Sequence, residues 1–149
     1  MVIADTGFWL ALSNRKDQHH ALAKRRLRQV REPLVTTWPV VTETCYLLLS
    51  RLGPASQQRF VDSFSAGAFS VFDLRPEHGT RISTLMKSYA DLPMDLVDAS
   101  LVLLAEELGH GRILSTDDRD FKTYRWKRHR PFENLLFREG SPEQGSSSE

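Results

Sequence analysis

Four carboxylates are the residues of this chain best suited to chemistry, and two of them follow predicted strands. Asp5 comes directly after the apolar segment 2–4, and Asp117 follows the segment 112–115. Ligands of parallel α/β sheets bind at the carboxyl ends of the strands, so we expect these two side chains to share one edge of a sheet. Taken alone, each could also cap the next helix or shape a polar turn.

The other two carboxylates lie inside predicted helices, on faces that are otherwise largely apolar. Glu43 shares its face with Tyr46, and Asp98 shares its face with Leu101 and with a second acid, Asp95. An ionised carboxylate on an apolar face needs a partner, which a Lys or Arg from elsewhere in the chain or a bound cation could supply. The helix around Asp98 contains no Lys or Arg, and this favours a cation brought from outside.

The chemical type of these side chains indicates which cation they would bind. Carboxylates without His or Cys form a hard-oxygen site, which suits Mg²⁺ or Mn²⁺ better than zinc. The sequence has 5 histidines and 1 cysteine, and none of them is spaced as in a zinc site. We therefore expect Mg²⁺ or Mn²⁺ as the cofactor.

The predicted elements that position these residues alternate between short apolar strands and helices. The strands are predicted at 2–4, 34–37, 69–74 and 112–115, and the helices at 8–12, 19–31, 39–52, 55–65, 76–89 and 94–108. This alternation is typical of an α/β fold with a mainly parallel sheet. Residues 1–137 are predicted to form one domain, and residues 138–149, rich in Ser, Gly and Glu, a disordered tail.

Several segments, taken together, resemble a PIN domain and, more narrowly, the VapC-type toxins of bacterial toxin–antitoxin pairs. They are Val2-Ile3-Ala4-Asp5-Thr6, the helix that carries Glu43, the segment Met94 to Leu101 and the segment Ile113 to Phe121. The similarity covers residues 1–137. Its most specific feature is the order and separation of the four carboxylates, each of which falls where the family places a metal ligand.

The resemblance implies a PIN-like three-layer α/β/α sandwich and assigns roles to the acids. The residues implied to be catalytic and to hold the metal are Asp5, Glu43, Asp98 and Asp117. The residues expected to support them are Asp95, Ser115, Asp118 and Asp120. The family pattern of Thr or Ser, any residue and then Asp fits at two neighbouring positions, so either Asp117 or Asp118 could be the fourth ligand.

The resemblance also implies an activity and partners. A PIN-type site cleaves RNA endonucleolytically, with in-line attack on the phosphodiester by a water activated by Mg²⁺ or Mn²⁺. The implied partners are an RNA substrate, a cognate antitoxin whose C-terminal segment covers the active site, and a second copy of the chain in a homodimer. Two alternatives stay open: a PIN-like fold kept as an inactive RNA- or protein-binding module, and a nuclease of housekeeping RNA processing.

Two basic segments could form the RNA-binding rim of such a site. They span residues 15–31 and 122–130, and the second contains Tyr124 and Trp126, which could stack on bases. The residues predicted to contact RNA are Arg25, Arg28, Lys122, Arg125 and Lys127. The alternative for each segment is a solvated helix face and a tryptophan that belongs to the core.

Composition and local patterns exclude several other classes of protein. With 40% hydrophobic and 26% charged residues the chain is globular, and its net charge of +1 shows no strong preference for an anionic partner. We find no signal-peptide pattern and no apolar run approaching the roughly 18 residues of a membrane span. A single cysteine cannot form an intramolecular disulfide, so we expect a cytoplasmic protein away from membranes.

Other folds that gather acids on a parallel sheet need residues that this chain lacks. A phosphoacceptor receiver domain requires a pair of acids after its first strand, and a haloacid-dehalogenase-like phosphatase requires Asp-x-Asp there. The sequence has Asp5-Thr6-Gly7 at this point. Both classes are therefore disfavoured.

Overall fold

The computed structural model describes residues 1–138, and a parallel sheet of five short strands lies at its centre. The strands of this sheet are β1 (Val2–Ala4), β2 (Leu34–Thr37), β3 (Phe69–Phe72), β4 (Arg112–Leu114) and β7 (Glu133–Asn134). A separate antiparallel hairpin consists of β5 (Arg125–Trp126) and β6 (Arg130–Pro131). The order of the central sheet is β3-β2-β1-β4-β7, and every pairing in it is parallel.

Helices flank this sheet and supply the outer layers of the fold. They are α1 (Thr6–Ser13), α2 (His20–Gln29), α3 (Trp38–Leu52), α4 (Pro54–Ser65), α5 (Gly79–Ser88), α6 (Leu96–Leu108) and α7 (Asp118–Thr123), with a 3-10 turn at Pro76–His78. The predicted α/β class and the implied three-layer α/β/α arrangement are both confirmed.

Strand β1 shows why the centre of the sheet can be recognised from sequence. Val2, Ile3 and Ala4 are at most 1% exposed, as expected for a parallel strand covered on both faces. Ile3 lies opposite Val35 on one side and Ile113 on the other. This register brings the carboxyl ends of β1, β2 and β4 to one edge of the sheet.

Helix boundaries near that edge follow from capping side chains. The Thr37 hydroxyl accepts a hydrogen bond from the Val40 N–H at 3.4 Å, and Pro39 occupies the first turn of α3. The Asp95 carboxylate accepts a hydrogen bond from the Asp98 N–H at 2.9 Å and so caps α6. The cap begins α6 two residues later than the sequence suggested.

Two predictions about helix faces differ from the structure. Asp95 is exposed and lies before the first helical residue, so it does not share an inward face with Asp98. On α3, Tyr46 was predicted to lie on an apolar, buried face together with Glu43, yet 68% of Tyr46 is exposed. The Asp95 prediction was wrong because Asp95 caps α6 and is not part of it. Glu43 and Tyr46 do lie on one side of α3, but that side is not buried, because the cover of a helix face comes from segments distant in sequence.

The sequence pattern also missed short elements near the C-terminus. Neither β7 nor the hairpin of β5 and β6 was predicted, and each of these strands contains only 2 residues. The predicted tail begins at Arg138, whose side chain pairs with Glu133, and residues 139–149 lie outside the described part of the chain. Within residues 1–138 no helix is both long and apolar enough to cross a bilayer.

Candidate active site

Asp5 is fixed at the carboxyl end of β1 by backbone and side-chain hydrogen bonds. Its N–H donates to the Leu114 carbonyl at 3.0 Å, which continues the ladder between β1 and β4 by one residue. Its carboxylate accepts from the Thr6 N–H at 2.6 Å and from the Ser115 hydroxyl at 2.9 Å. Only 7% of Asp5 is exposed. The predicted proximity of the two strand ends is therefore confirmed.

Ser115 connects Asp5 to Asp117. Ser115 is fully buried, and its hydroxyl oxygen, while donating to Asp5, accepts a hydrogen bond from the Asp117 N–H at 3.0 Å. The Asp117 carboxylate in turn caps α7 by accepting from the Asp120 N–H at 3.3 Å. One serine thus sets the spacing between two carboxylates that come from separate strands.

The start of α1 lies against the loop that carries these residues. A Cβ built on Gly7 would lie 1.8 Å from the Thr116 hydroxyl oxygen. Any side chain at position 7 would therefore push residue 116 away from β1. Glycine at this position allows the two strand ends to approach closely.

Asp98 lies half-buried in the first turn of α6. Its carboxylate accepts a hydrogen bond from the Tyr124 hydroxyl at 2.9 Å, and Tyr124 is itself fully buried. Tyr124 was predicted as a candidate for base stacking. Because its ring is enclosed by the core, the structure contradicts that role and gives it a contact with Asp98 instead.

Glu43 is half-buried on α3 and lines a shallow apolar cavity of about 680 Å³. The other walls of this cavity include Trp38, Tyr46 and Leu96, which are all exposed to solvent. The charge of Glu43 is one of those that act on Asp5. The helix residue therefore faces the same region as the strand-end carboxylates.

The protonation of these acids reflects burial and mutual repulsion. Burial raises the pKa of Asp5 to about 6, and the charges of Glu43 and Asp117 add to the rise against the opposing hydrogen bonds. Burial also raises the pKa of Asp98 to about 7, with further contributions from Asp95, Asp5 and Asp117. The acids thus act on one another electrostatically although they come from different elements.

Asp117 belongs to this electrostatic group, whereas Asp118 has other partners. Burial, followed by the hydrogen-bonded neighbour Asp120, raises the pKa of Asp117 to about 6. The Asp118 carboxylate pairs with the Lys122 ammonium at 2.7 Å and accepts a hydrogen bond from the Asn134 amide at 3.2 Å. Of the two candidates for the fourth ligand, Asp117 is the one whose charge reaches the other acids.

No cationic side chain of the described residues neutralises the group. The ion pairs found in residues 1–138 do not include Asp5, Glu43, Asp98 or Asp117. Nor do three Asp, Glu, His or Cys side chains of this part of the chain already stand close enough to enclose an ion. The donors suit a hard cation, but binding one requires side chains to move inward.

The side chains predicted to contact RNA differ in whether they are already bound to other groups of the protein. Arg25 and Arg28 are exposed on α2, and Lys127 is exposed in the turn of the hairpin. Lys122 is paired with an acid, and the Arg125 guanidinium donates to three carbonyl groups at the end of α7. The five residues thus belong to three elements: α2, α7 and the hairpin of β5 and β6.

Trp126 does not fit the predicted stacking role. It is 6% exposed, and its indole N–H donates to the Pro131 carbonyl at 3.1 Å. Lys127 and Arg130 lie over its ring, at 5.9 and 5.3 Å from the centroid. The alternative interpretation, a tryptophan of the core, is correct.

Sequence reasoning missed Asn134. Its side chain makes hydrogen bonds to the Ser115 backbone, to Asp118 and to the Leu136 N–H. Asn134 lies between Glu133 and Leu135, and nothing in this short segment distinguishes it from any loop asparagine. Only the pairing of β7 with β4 places it beside the site.

Comparisons with known proteins agree with this arrangement. The family model of the PIN domain matches residues 2–127. The chain is 25% identical, over 124 residues, to ribonuclease VapC26 of Mycobacterium tuberculosis, which corresponds to 83% of this chain and 92% of the relative. The fold is similar to the crystal structure of VapC20 of Mycobacterium tuberculosis, described as a toxin that cleaves the sarcin–ricin loop, with a TM-score of 0.74. That alignment covers 78% of this chain and 90% of the other at 21% identity. Since the family model covers most of its length, the chain belongs to the PIN-domain family.

Proposed function

We propose that this protein is a Mg²⁺- or Mn²⁺-dependent endoribonuclease and acts as the toxin of a toxin–antitoxin pair. The observation that carries the proposal is a set of carboxylates at the carboxyl edge of a parallel sheet that form no ion pair with a basic side chain of residues 1–138. Three of them have raised pKa values because they are buried close to one another. Such a set is costly without a cation, and a binding module would gain nothing from keeping it.

We assign the metal-holding role to Asp5, Glu43, Asp98 and Asp117. Bound there, a divalent cation would offset the charge of the carboxylates, lower the pKa of a water and stabilise the charge that develops on the phosphate. Ser115 holds the Asp5 carboxylate, and Tyr124 holds Asp98. Asp118, which pairs with Lys122, supports the loop and does not serve as a ligand.

Hydrolysis by an activated water needs no nucleophilic side chain, and no Ser/His/Asp arrangement stands out in the sequence. The scissile phosphodiester would lie over the edge of the sheet, where the exposed sides of Glu43 and Asp98 are accessible. Arg25, Arg28, Lys122, Arg125 and Lys127 remain candidates for contacts with the RNA backbone. Of these, we expect Arg125 to contribute least, because its guanidinium already caps the end of α7.

The named relatives suggest an antitoxin as protein partner, and one groove is suited to it. A cavity of about 1070 Å³ between α1, α2 and α4 combines apolar walls with basic side chains. Its apolar residues include Trp9, Leu27 and Phe60, and its basic residues include Lys24 and Arg59. We propose that an acidic, amphipathic segment of the antitoxin binds here, on the basis of charge complementarity.

The exposed apolar surface of α3 and α6 suggests a homodimer. Trp38, Tyr46, Leu49 and Leu96 are each at least 44% exposed. Large apolar side chains grouped on a surface mark an interface more often than a solvated face. We propose that a second copy of the chain covers them, and that the complex acts in the cytoplasm, where its RNA substrate is located. A Tyr46→Glu variant that elutes at the same size as wild type would contradict the dimer.

The deciding experiment is cleavage of purified RNA by the partner-free protein in Mg²⁺ or Mn²⁺. We expect discrete products that disappear with EDTA and in Asp5→Asn, with kcat/KM lower by about 10³-fold, or about 4 kcal/mol. Asp62→Asn is the matched control, since Asp62 is an exposed acid on α4. If wild type cuts nothing, the fold is better interpreted as an inactive binding module. If Asp5→Asn cuts as well as wild type, the cleavage does not depend on this site and the catalytic assignment is wrong.

A further inference from the structure

The side chain of Asn134 uses both ends of its amide on the loop that carries the candidate active site. Its carbonyl oxygen accepts hydrogen bonds from the Ser115 N–H and from the Leu136 N–H, both at 3.2 Å. Its NH₂ group donates to the Ser115 carbonyl at 2.9 Å and to the Asp118 carboxylate at 3.2 Å. The hydrogen-bonding capacity of the amide is thus almost fully used.

These contacts extend the sheet at the point where its backbone ladder ends. Strands β4 and β7 pair with Ile113 opposite Asn134, and the Leu135 N–H donates to the Ile113 carbonyl at 2.7 Å. Two residues further along the chain, the Asn134 amide bonds to both the N–H and the C=O of Ser115, as the peptide group of another strand would. The side chain therefore replaces a missing rung of the ladder.

Fixing the Ser115 backbone also fixes two carboxylates. The Ser115 hydroxyl donates to Asp5 and accepts from the Asp117 N–H. A continuous path of hydrogen bonds thus runs from Asn134 through Ser115 to both strand-end acids. Because each step spans a single hydrogen bond, an error in the position of Ser115 would pass directly to the carboxylates.

The segment that holds Asn134 is itself anchored. Leu136 is fully buried, and the Arg26 guanidinium donates to the Leu136 carbonyl at 3.0 Å and to the Arg138 carbonyl at 2.5 Å. Residues 133–138 are thereby tied to α2 on one side and to β4 on the other. This support explains how an exposed C-terminal strand of 2 residues can act as a rigid positioning element.

We propose that Asn134 is a positioning residue of the active site, which acts through Ser115 to set the separation of Asp5 and Asp117. This inference rests on the proposed function for its effect on cleavage, but its effect on the loop is independent of any reaction. Asn134 does not touch the substrate. Its contribution is the pre-organisation of carboxylates that would otherwise have to be ordered when the cation binds.

The experiment compares the variants Asn134→Ala and Asn134→Asp with the matched control Asn14→Ala. Asn14 also accepts a backbone hydrogen bond, from the Lys16 N–H at 3.0 Å, but within a turn after α1. Asn134→Asp keeps the shape and the two accepted hydrogen bonds, but it loses both donated ones and places a negative charge against Asp118 and the Ser115 carbonyl. It therefore tests the same contacts if the alanine variant fails to fold.

The first readout is amide hydrogen exchange without metal, which requires no catalytic activity. We expect the Asp117 amide, which donates to the Ser115 hydroxyl, to exchange at least about 10-fold faster in both Asn134 variants than in the control. The second readout is Mn²⁺ affinity by calorimetry, which we expect to fall about 10- to 100-fold. In cleavage assays kcat should fall while KM for the RNA stays constant.

A double-mutant cycle separates positioning from general stability. Ser115→Ala breaks the path from Asn134 to Asp5, so adding Asn134→Ala to it should lower Mn²⁺ affinity by less than about 2-fold. Additive losses, or amide exchange and Mn²⁺ affinity like those of the control, would overturn the inference. If wild type neither binds Mn²⁺ nor cuts RNA, the proposed function fails, and amide exchange alone decides whether Asn134 positions the loop.

Discussion

The two halves of the proposed active site differ in how their carboxylates are held. The strand half consists of Asp5, Ser115 and Asp117, which lie at the ends of β1 and β4. The helix half consists of Glu43 on α3 and Asp98 on α6. In the strand half every carboxylate accepts a hydrogen bond from a backbone N–H, and Asp5 is almost completely buried. In the helix half both acids are partly exposed, and Asp98 is held by one hydroxyl group.

This difference suggests that the two halves have different roles in binding a cation. The strand half is set by the fold before any ligand arrives, because parallel strand ends and their hydrogen bonds leave little freedom. The side chains of the helix half can turn toward a cation. Such a movement is needed, because no three Asp, Glu, His or Cys side chains of residues 1–138 lie close enough together to enclose an ion. A site with one fixed half and one adaptable half would accept a cation without requiring all ligands to stand close together beforehand.

The rigidity of the strand half can be tested most directly by a substitution that changes its geometry but none of its carboxylates. Gly7→Ala places a methyl group 1.8 Å from the Thr116 hydroxyl oxygen and must displace the Thr116 side chain, which lies between Ser115 and Asp117. We expect cleavage to fall by about 10²-fold and the free energy of unfolding by about 1–3 kcal/mol, measured by RNA cleavage and urea unfolding.

Gly79→Ala is the matched control for this variant. Gly79 begins α5, and none of the described atoms lies within 4 Å of a Cβ built there. The control should therefore be active and equal to wild type in stability or up to about 1 kcal/mol more stable. Equal activity of Gly7→Ala and Gly79→Ala would show that the strand half is not rigid.

A smaller effect is expected when the support of the helix half is removed. Tyr124→Phe deletes the hydroxyl that donates to Asp98 and leaves the buried ring in place. Because Asp98 is partly exposed and can still turn toward a cation, we expect the Mn²⁺ concentration for half-maximal cleavage to rise about 10-fold. The rate at saturating Mn²⁺ should change little.

Tyr46→Phe serves as the control for the loss of a hydroxyl group, since Tyr46 is exposed on α3. It should follow the wild-type Mn²⁺ dependence. If Tyr124→Phe instead lowers the saturated rate as strongly as Gly7→Ala, the helix half is as rigid as the strand half, and the proposed division is wrong.

The same difference between the strand half and the helix half explains which parts of the site could be predicted from the sequence. Asp5 and Asp117 follow short strands whose last two residues are apolar and buried, and the rule that parallel strands end at one edge placed them together correctly. Local pattern and one topological rule were sufficient because consecutive buried residues leave few alternatives. The helix acids were identified for a partly wrong reason, since the face that Glu43 shares with Tyr46 is exposed.

The features that could not be predicted all depend on contacts distant in sequence. Asn134 and Ser115 are separated by 19 residues, and nothing in either segment indicates the pairing. A strand of 2 residues has no periodicity to detect. Likewise Tyr124 lies 26 residues from Asp98, and its enclosure by the core cannot be deduced from a basic segment in which it is one of two aromatic residues.

The smallest predicted effect concerns the stability of the metal-free protein and its dependence on pH. The pKa of Asp98 rises from about 3.8 in the unfolded chain to about 7 in the folded one, mainly because of burial. A group with a raised pKa contributes stability below its unfolded pKa and loses that contribution as pH rises through the folded pKa. Between about pH 4 and 7, the metal-free protein should therefore become less stable as pH increases.

Asp98→Asn removes this loss because the amide is neutral at every pH. At pH 8 we expect the variant to be about 1 kcal/mol more stable than wild type, a small value because Asp98 is partly exposed, which corresponds to about 2–4 °C in Tm. At pH 4 the two should have the same Tm. Asp5→Asn should gain less, since its amide weakens hydrogen bonds that Thr6 and Ser115 donate to the carboxylate. Saturating Mn²⁺ should reverse the order and favour wild type, because the cation binds the intact site more tightly. If the stability difference between the variant and wild type is the same at pH 4 and pH 8, the raised pKa of Asp98 is contradicted. If the variant is more stable than wild type in Mn²⁺, Asp98 is not part of the metal-binding group.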